Sequence, residues 1–160
     1  MPSPPSPSGF DLTPLSAAQR EALAHDLSPE ERTVLLAHGT ERPFCGTLLD
    51  NKRTGTYCCR LCGLPLFRSA AKFDSGTGWP SFAGTYDEAH VRRVTDGSYG
   101  MIRTEIRCTR CDGHLGHVFP DGPPPRGERH CLNSASLTFV DTGAPLPVRV
   151  ESDRALGAVG

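Results

Sequence analysis

The amino-acid sequence predicts an antiparallel β domain that follows two short helices. Beyond about residue 39, apolar residues no longer recur with a helical period. Short runs are instead separated by clusters of Gly, Pro, Asp and Ser, namely TYCC, PLF, YGMIRTEIRC, GHVF and SLTFV. Short runs between frequent turn residues are typical of antiparallel sheets. With 160 residues, the chain is long enough for one domain with a modest core.

Two capping sequences predict where the helices begin. Residues 16–19 (SAAQ) form a capping box ahead of AAQREALAHDL. Residues 28–31 (SPEE) form a stronger one, with Ser as the N-cap, Pro at the first helical position and Glu three residues after the cap. This second helix is predicted to end near His38, with Gly39 as its C-terminal residue.

Composition divides the chain into one domain and two tails. Residues 1–13 are rich in Pro and Ser and are predicted to be disordered. A single domain is predicted over residues 14–145, including a loop at 122–128 (GPPPRGE). Residues 146–160 are predicted to form a weakly ordered C-terminal tail.

Charge and hydropathy exclude several kinds of partner. The 17 Lys and Arg nearly balance the 18 Asp and Glu, and aromatic residues make up 7% of the chain, which argues against nucleic-acid binding. The start, MPSPPSPSG, has no apolar segment, and no stretch of 18 apolar residues occurs, so neither a signal peptide nor a membrane span is predicted. The cysteines are therefore expected in a reducing compartment, the cytoplasm, where C-x-x-C pairs more often bind metal or do redox work.

Two C-x-x-C pairs predict a metal site. Cys59 and Cys62 form one pair, Cys108 and Cys111 form the other, and a glycine closely follows each pair. Two intervening residues let both thiolates turn to one side of a tight loop, and glycine allows the positive φ that such a loop commonly needs. Two loops of this kind supply four sulfurs to a tetrahedral Zn²⁺. A site with every position filled leaves no place for substrate, so this zinc is expected to be structural.

Other uses of these thiols remain open at this stage. Cys58 could replace Cys59 as a ligand, because a spacing of three residues is also tolerated. One pair could instead be redox-active, although a thioredoxin-like C-x-x-C needs a βαβ setting that the sequence does not indicate.

The stretch RHCLNSASLTFV contains a cysteine outside these pairs. A strand here would place Arg129, Cys131 and Asn133 on one face and His130 and Leu132 on the other. The first face would continue as core through Ala135, Leu137 and Phe139. Arg129 beside Cys131 would favour the thiolate, the form that attacks. The alternative is that Cys131 is a small buried apolar residue, as most free cysteines are.

Polar groups and the only tryptophan provide further candidates. His114, His117 and Asp121 follow the second cysteine pair, and Gly116 could bend the strand so that both rings meet. A histidine is suited to give a proton near neutral pH, but two His and an Asp are also a plausible metal-ligand set. Trp79 lies on a loop rich in Gly and Pro, where it forms either a pocket wall or part of the core.

The segments GWPSF, HLGHVFPDGP and RHCLNSASLTF, with the two cysteine pairs in this order, closely resemble the type B methionine sulfoxide reductases. The resemblance runs from about Leu27 to Val140. It implies a mainly β fold of two antiparallel sheets, with short N-terminal helices and a structural zinc on the four paired cysteines. It also implies reduction of the R epimer of methionine sulfoxide, with thioredoxin as the reductant, in the repair of oxidised proteins.

The resemblance also implies a role for each matching residue. Cys131 would be the nucleophile, and Trp79 would pack against the substrate methyl group. His114 and His117 would lie near the sulfoxide oxygen, with His117 the better candidate for the proton donor. The remaining matches, which would frame the site with polar groups, are Asp121, Arg129 and Asn133.

The chain departs from the family pattern at two positions. Thr77 stands where many members have a recycling cysteine, so Cys45, in PFCG, is expected to take that role, with Cys58 as the next candidate. His130 stands where Tyr or Phe is usual and is expected to point away from Cys131. Two other functions remain as alternatives, a zinc-ribbon binding module and a zinc hydrolase with its metal at the histidines. The sequence calls for no more than a monomer and does not distinguish free from protein-bound substrate.

Overall fold

The computed structural model describes residues 8–97 and 100–156. Within these ranges the chain forms two α-helices and nine β-strands. The helices are α1 (Ala17–Ala24) and α2 (Pro29–Ala37). The strands are β1 (Gly55–Cys59), β2 (Pro65–Arg68), β3 (Lys72–Phe73), β4 (Ser81–Phe82), β5 (Val91–Asp96), β6 (Arg103–Cys108), β7 (His114–Phe119), β8 (Arg129–Leu132) and β9 (Leu137–Asp141).

The two helices begin where the capping sequences predict. Ser16 accepts from the Gln19 amide at 3.1 Å while the Gln19 side chain accepts from the Ser16 amide at 2.8 Å, and the Ser28–Glu31 pair repeats both bonds. At the end of α2 the prediction is wrong in one detail, because His38 rather than Gly39 has the left-handed conformation, with φ of 57°. Gly39 serves close packing instead, since a Cβ there would lie 2.9 Å from the Thr33 methyl group.

The strands form two antiparallel sheets, which confirms the predicted fold class. One sheet has the order β2-β1-β9, and the other has the order β3-β4-β8-β7-β6-β5. Buried aromatic rings join them: Phe67 of β2 stacks on Phe82 of β4 with ring centres 4.6 Å apart, and Tyr57 of β1 lies 4.9 Å from Phe82. Helix α2 packs against β7, on the sheet that carries Cys131.

The sequence predicted one continuous strand for the stretch RHCLNSASLTFV, and this prediction is wrong. Strand β8 ends at Leu132, a 3-10 turn covers Ser134–Ser136, and β9 then joins the other sheet. The polar run between them is held by one local bond, from the Ser136 amide to Asn133 O at 3.0 Å, and by one bond to β7, from the Ser136 hydroxyl to His114 O at 2.9 Å. The alternating apolar residues of this stretch therefore belong to two different sheets. The strand face that carries Cys131 ends with β8 and does not continue into β9.

The other predicted runs form strands, but three strands were missed. The run YGMIRTEIRC begins its strand only at Arg103, and its Tyr99 lies outside the described residues. Strand β5 was missed because it is a partly exposed edge strand, and β3 and β4 were missed because each has only two residues.

Parts of both predicted tails contact the core. Phe10 and Leu146 are each 6% exposed and belong to the main apolar cluster. Residues 1–7 and 157–160 lie outside the described ranges, so the limits of the domain stay a prediction. Neither described helix, at eight and nine residues, has the length and apolar character of a transmembrane span.

Candidate active site and metal centre

The four paired cysteines form one buried cluster. Their sulfurs all lie within 4.8 Å of one another, and the pairs Cys59–Cys111 and Cys62–Cys108 have Sγ–Sγ distances of 3.5 Å. Tetrahedral zinc with Zn–S bonds near 2.3 Å would place its sulfurs about 3.8 Å apart. Four buried thiols at this spacing fit a closed metal site with no position left for water or substrate.

The two loops that carry these thiols reach the same shape with different residues. In the first, Gly63 has φ of 81° and donates its amide to Cys59 O at 2.8 Å. In the second, Asp112 and not the glycine takes the left-handed conformation, with φ of 61°, and its amide donates to Cys108 O at 2.9 Å. Gly113 serves close approach instead, because a Cβ there would lie 3.2 Å from the Cys111 sulfur.

Cys58 takes no part in this cluster, so the alternative ligand set does not hold. Its thiol is fully buried in β1, and burial raises the pKa of Cys58 to about 12. A thiol that is both inaccessible and hard to ionise is also a poor partner for disulfide exchange.

Cys131 lies in a pocket of about 190 Å³ that is lined in part by residues of β7 and β8. This is smaller than the roughly 300–1,000 Å³ of sites for drug-sized ligands, and it suits a side chain better than an organic cofactor. His117 pairs directly with Cys131 across the two strands. The residues that line the pocket are Thr40, Thr77, Trp79, Arg103, Gly116, His117, Phe119, Arg129, Cys131, Leu132 and Asn133.

The protonation of Cys131 reflects two opposing effects. Burial raises the pKa of the Cys131 thiol, while the charge of Arg129 and hydrogen bonds from Thr77 and Arg129 lower it, and burial prevails. The sequence correctly places Arg129 beside Cys131, but the expectation that the thiolate is favoured overlooked burial. Thr77 was considered only as a lost recycling cysteine, and its hydrogen bond to the sulfur was not foreseen.

Asp121 acts on the pocket only through Arg129. Its exposed carboxylate accepts from Arg129 Nε at 3.0 Å and from Nη2 at 3.3 Å, and this bonding lowers the pKa of Asp121. The guanidinium carbon of Arg129 lies 4.5 Å from the centre of the Phe119 ring. Asp121 itself does not line the pocket.

His117 is held by a residue that sequence reasoning missed. Its Nε2 donates to Asp96 Oδ2 at 2.8 Å, and Arg103 Nη2 lies 3.3 Å from the same carboxylate oxygen. Asp96 is the last residue of β5, the edge strand that the sequence did not predict.

His114 lies behind His117 and does not line the pocket. The two ring centres are 5.6 Å apart, as the bend at Gly116 was expected to allow. His114 Nδ1 lies 2.7 Å from Glu105 Oε2, and burial lowers the pKa of His114 although Glu105 opposes this. A buried imidazole that resists protonation is poorly suited to donate a proton to substrate.

Glu105 connects His114 to a third histidine. His38 Nδ1 lies 2.9 Å from Glu105 Oε2, and Arg107 lies 3.0 Å from Oε1. Burial alone would raise the pKa of Glu105, but the hydrogen bonds from Arg107, His114 and His38 lower it to about 2. The ligand-type atoms of His38, Glu105 and His114 lie within 4.8 Å of one another. Among the described residues, His114, His117 and Asp121, the ligand set suggested by sequence, do not form such a group.

Trp79 is held against the pocket by Asn133. Its Nε1 donates to Glu41 O at 3.0 Å, and the Glu41 amide donates to Asn133 Oδ1 at 3.0 Å. Asn133 Nδ2 in turn donates to Leu115 O at 3.1 Å. The Asn133 amide thus supports the wall of the pocket with both of its polar atoms.

His130 points away from Cys131, as the alternation of the strand predicts. Its ring is fully buried, with Nδ1 3.3 Å from Phe82 O and its centre 5.8 Å from that of Phe67. Burial lowers the pKa of His130, which favours the uncharged ring in the core.

Cys45 is exposed and lies outside the pocket. It borders a neighbouring cleft, and Thr40 lies on the wall of both. The preceding Phe44 donates its amide to Gly78 O at 2.7 Å, which holds this segment against the loop that carries Thr77.

Comparison with known proteins shows the family to which this chain belongs. The model of the SelR domain matches residues 27–141. A protein named peptide methionine sulfoxide reductase MsrB from Xylella fastidiosa (strain M23) is 67% identical over 138 residues, which cover 86% of this chain and 89% of that protein. A protein of the same name from Caulobacter vibrioides (strain NA1000 / CB15N) is 62% identical over 89% of both chains. Another, from Escherichia coli O139:H28 (strain E24377A / ETEC), is 57% identical over 76% of this chain and 88% of that protein.

Proposed function

The chain belongs to the SelR-domain family of peptide methionine sulfoxide reductases, and we propose that it reduces the R epimer of methionine sulfoxide through the thiol of Cys131. It is an oxidoreductase. The observation that carries the assignment of residues is the pairing of Cys131 with His117 across β7 and β8, with both side chains in one pocket.

Cys131 attacks the sulfur of the sulfoxide as a thiolate. Oxide is a poor leaving group, so a proton must reach the sulfoxide oxygen as the sulfur–oxygen bond breaks. His117 is the proton donor, because its ring lines the pocket while His114 does not. Attack joins the two sulfurs, and the protonated oxygen then passes as a hydroxyl to the Cys131 sulfur as that sulfur–sulfur bond breaks. Methionine leaves, and Cys131 becomes a sulfenic acid. The net change oxidises one thiol and reduces one sulfoxide.

The remaining pocket residues hold the substrate. Trp79 offers an aromatic wall for the methyl group, and the bond from its Nε1 to Glu41 O fixes the indole. Phe119 lies on the apolar lining as well, beneath the guanidinium of Arg129. Asn133 fixes the Glu41 segment to which the Trp79 indole is bonded. Asp121 lies outside the pocket and acts by fixing Arg129.

Cys45 closes the catalytic cycle. Its thiol displaces water from the Cys131 sulfenic acid and forms a Cys45–Cys131 disulfide. Because Cys45 is exposed and lies outside the pocket, the segment around it must move toward Cys131 for this step. An exposed disulfide is open to exchange with the dithiol of thioredoxin, which restores both thiols.

The four-cysteine centre suits a structural zinc. Cys59, Cys62, Cys108 and Cys111 would hold it, and burial of all four sulfurs agrees with a closed site. The metal would supply folding energy and would take no part in the chemistry at Cys131. A binding module of the zinc-ribbon type leaves the Cys131–His117 pair without a role. A zinc hydrolase is disfavoured because, among the described residues, His114, His117 and Asp121 do not form a ligand group.

We infer the setting of the enzyme from its chemistry. A nucleophile that must be a free thiol suits a reducing compartment such as the cytoplasm. The enzyme acts as a monomer on methionine sulfoxide, free or in damaged proteins, with no part for nucleic acid or membrane. The catalytic domain covers residues 14–145.

Replacement of the nucleophile tests this function. Cys131→Ser should form no methionine from the R epimer in a single turnover without external reductant, while Cys45→Ser, the matched control, should form one equivalent. Both variants should retain the wild-type metal content, because neither sulfur belongs to the four-cysteine cluster. Methionine formation by Cys131→Ser at the wild-type rate would rule out this assignment.

A further inference from the structure

The C-terminal segment 146–153 covers the first cysteine loop, although it lies beyond the residues 27–141 that match the family. Leu146 is buried in the core, and Pro147 O lies 3.2 Å from the place where a Cβ on Gly63 would be. Arg149 Nε donates to Leu61 O at 2.7 Å, between the two cysteines of the first pair. The segment thus packs on the loop that presents Cys59 and Cys62.

Arg110 joins this segment to both cysteine loops. It stands between Cys108 and Cys111 in the second loop, and its Nη2 donates to Cys62 O at 2.8 Å in the first. Asp153 receives the same guanidinium with two bonds, of 2.8 and 2.9 Å. The two side chains are 1% and 2% exposed. A bidentate pair this deeply buried fixes both partners geometrically, and removal of one partner leaves an uncompensated charge.

The N-terminal segment meets the same residue. The Leu15 amide donates to Arg110 O at 2.8 Å, and Arg110 Nη1 lies 3.3 Å from Asp11 O. Both positions precede residue 27, where the family match begins. Two segments outside the matched domain therefore converge on Arg110, whose side chain bridges the two cysteine loops.

We propose that residues 146–153 form a clasp over the four-cysteine centre, with Asp153 and Arg110 as positioning residues that slow the loss of its metal. The proposal rests on the metal-binding role assigned above. A ligand can leave only when its loop opens, and the clasp ties the two loops to each other and to the C-terminal segment. Groups that orient ligands without touching the metal change metal affinity by about 10–100-fold when they are lost.

The experiment measures transfer of zinc from the loaded protein to a colorimetric chelator in excess. Asp153→Asn removes the charge and keeps the shape, and Arg149→Gln weakens the bond to Leu61. Glu88→Gln is the matched control, because it breaks an exposed pair with Arg126 at 2.7 Å. We expect Asp153→Asn to release zinc at least about tenfold faster, Arg149→Gln to release it more slowly than Asp153→Asn but faster than wild type, and Glu88→Gln to match wild type.

Two further measurements, the unfolding rate and the zinc content of the wild-type protein, distinguish a clasp on the metal from a general loss of stability and from a protein without zinc. The unfolding rate of each zinc-loaded variant is measured under the same conditions, and faster release without a matching increase in unfolding supports the clasp. Release that rises only in proportion to unfolding, or that is unchanged in Asp153→Asn, overturns it. Purified wild-type protein that binds no zinc overturns the metal assignment as well, so the two failures are distinguishable.

Discussion

His117 lies directly opposite Cys131 in the register of β7 and β8, and both side chains reach the same pocket. Residues opposite each other in an antiparallel pair have Cβ atoms about 4.5–5.5 Å apart. A sulfoxide group between them can therefore present its sulfur to the thiol and its oxygen to the imidazole. Both residues lie on paired strands, so the backbone register holds them opposite each other.

Asp96 is expected to hold the His117 ring in position for proton transfer. Its carboxylate accepts from His117 Nε2 at 2.8 Å, and Arg103 Nη2 lies 3.3 Å from the same oxygen. General acid catalysis contributes about 10²–10⁴-fold and needs the donor in position, so Asp96→Ala should slow methionine formation by roughly tenfold or more. The test is the single-turnover rate with the R epimer.

Two comparisons make the Asp96 result specific. Asp74→Ala, which removes an exposed carboxylate paired with Lys52, should leave the single-turnover rate unchanged. An Asp96→Ala enzyme that turns over at the wild-type rate would mean that Asp96 does not position His117.

Arg129 is expected to control the ionisation of Cys131. Burial raises the pKa of this thiol and Arg129 opposes the rise, so Arg129→Gln should raise the pKa further. Since the thiolate is the reactive form, alkylation of Cys131 by iodoacetamide at pH 8 should slow by about three- to tenfold. The midpoint of the curve of alkylation rate against pH should move to higher pH. Peptide mass spectrometry measures the rate at Cys131, with Arg126→Gln as the control. An unchanged or lower midpoint would contradict this role.

Removal of metal is expected to unfold or greatly loosen the domain. The four buried cysteines connect loops from β1 and β6, and among the described residues they form one cluster. A loss of about 5 kcal/mol would lower Tm by roughly 10–20 °C, as followed by near-ultraviolet circular dichroism. Cys59→Ser should reproduce the effect, and the exposed Cys45→Ser should not. An unchanged Tm after verified removal would show that the metal is dispensable for folding.

Cys45 is expected to be required for recycling and not for the first turnover. Cys45→Ser should form one equivalent of methionine and then stop, because thioredoxin finds no disulfide to reduce. Cys58→Ala should keep full thioredoxin-driven turnover, since the Cys58 thiol is buried and its pKa is raised to about 12 by that burial. Full thioredoxin-driven activity in Cys45→Ser would transfer the recycling role to another thiol.

The parts of the fold that depend on local chemistry were predictable from the sequence. The capping boxes at Ser16 and Ser28 and the two C-x-x-C loops involve residues within a few positions of each other. The break between β8 and β9 was not predictable from alternation, because alternating apolar residues look the same in one strand or in two strands of different sheets.

Partners that come from distant strands were also missed. Asp96 meets His117 through sheet order, and Glu105 joins His114 to His38 through the approach of α2. Burial of Cys131, which outweighs the charge of Arg129, likewise appears only once both sheets are assembled. The sequence therefore predicts the proposed nucleophile, Cys131, and its neighbours on the strand, but not the carboxylates that are bonded to the histidines.

The most direct test of the central claim mixes fully reduced protein with the R epimer of methionine sulfoxide, and separately with the S epimer, without reductant. Lost thiols are counted, methionine is quantified, and disulfides are mapped by peptide mass. We expect the loss of two thiols with the R epimer only, joined as Cys45–Cys131, together with one equivalent of methionine. No thiol loss with either epimer would contradict it and would make Cys131 a residue of the pocket wall without a redox role.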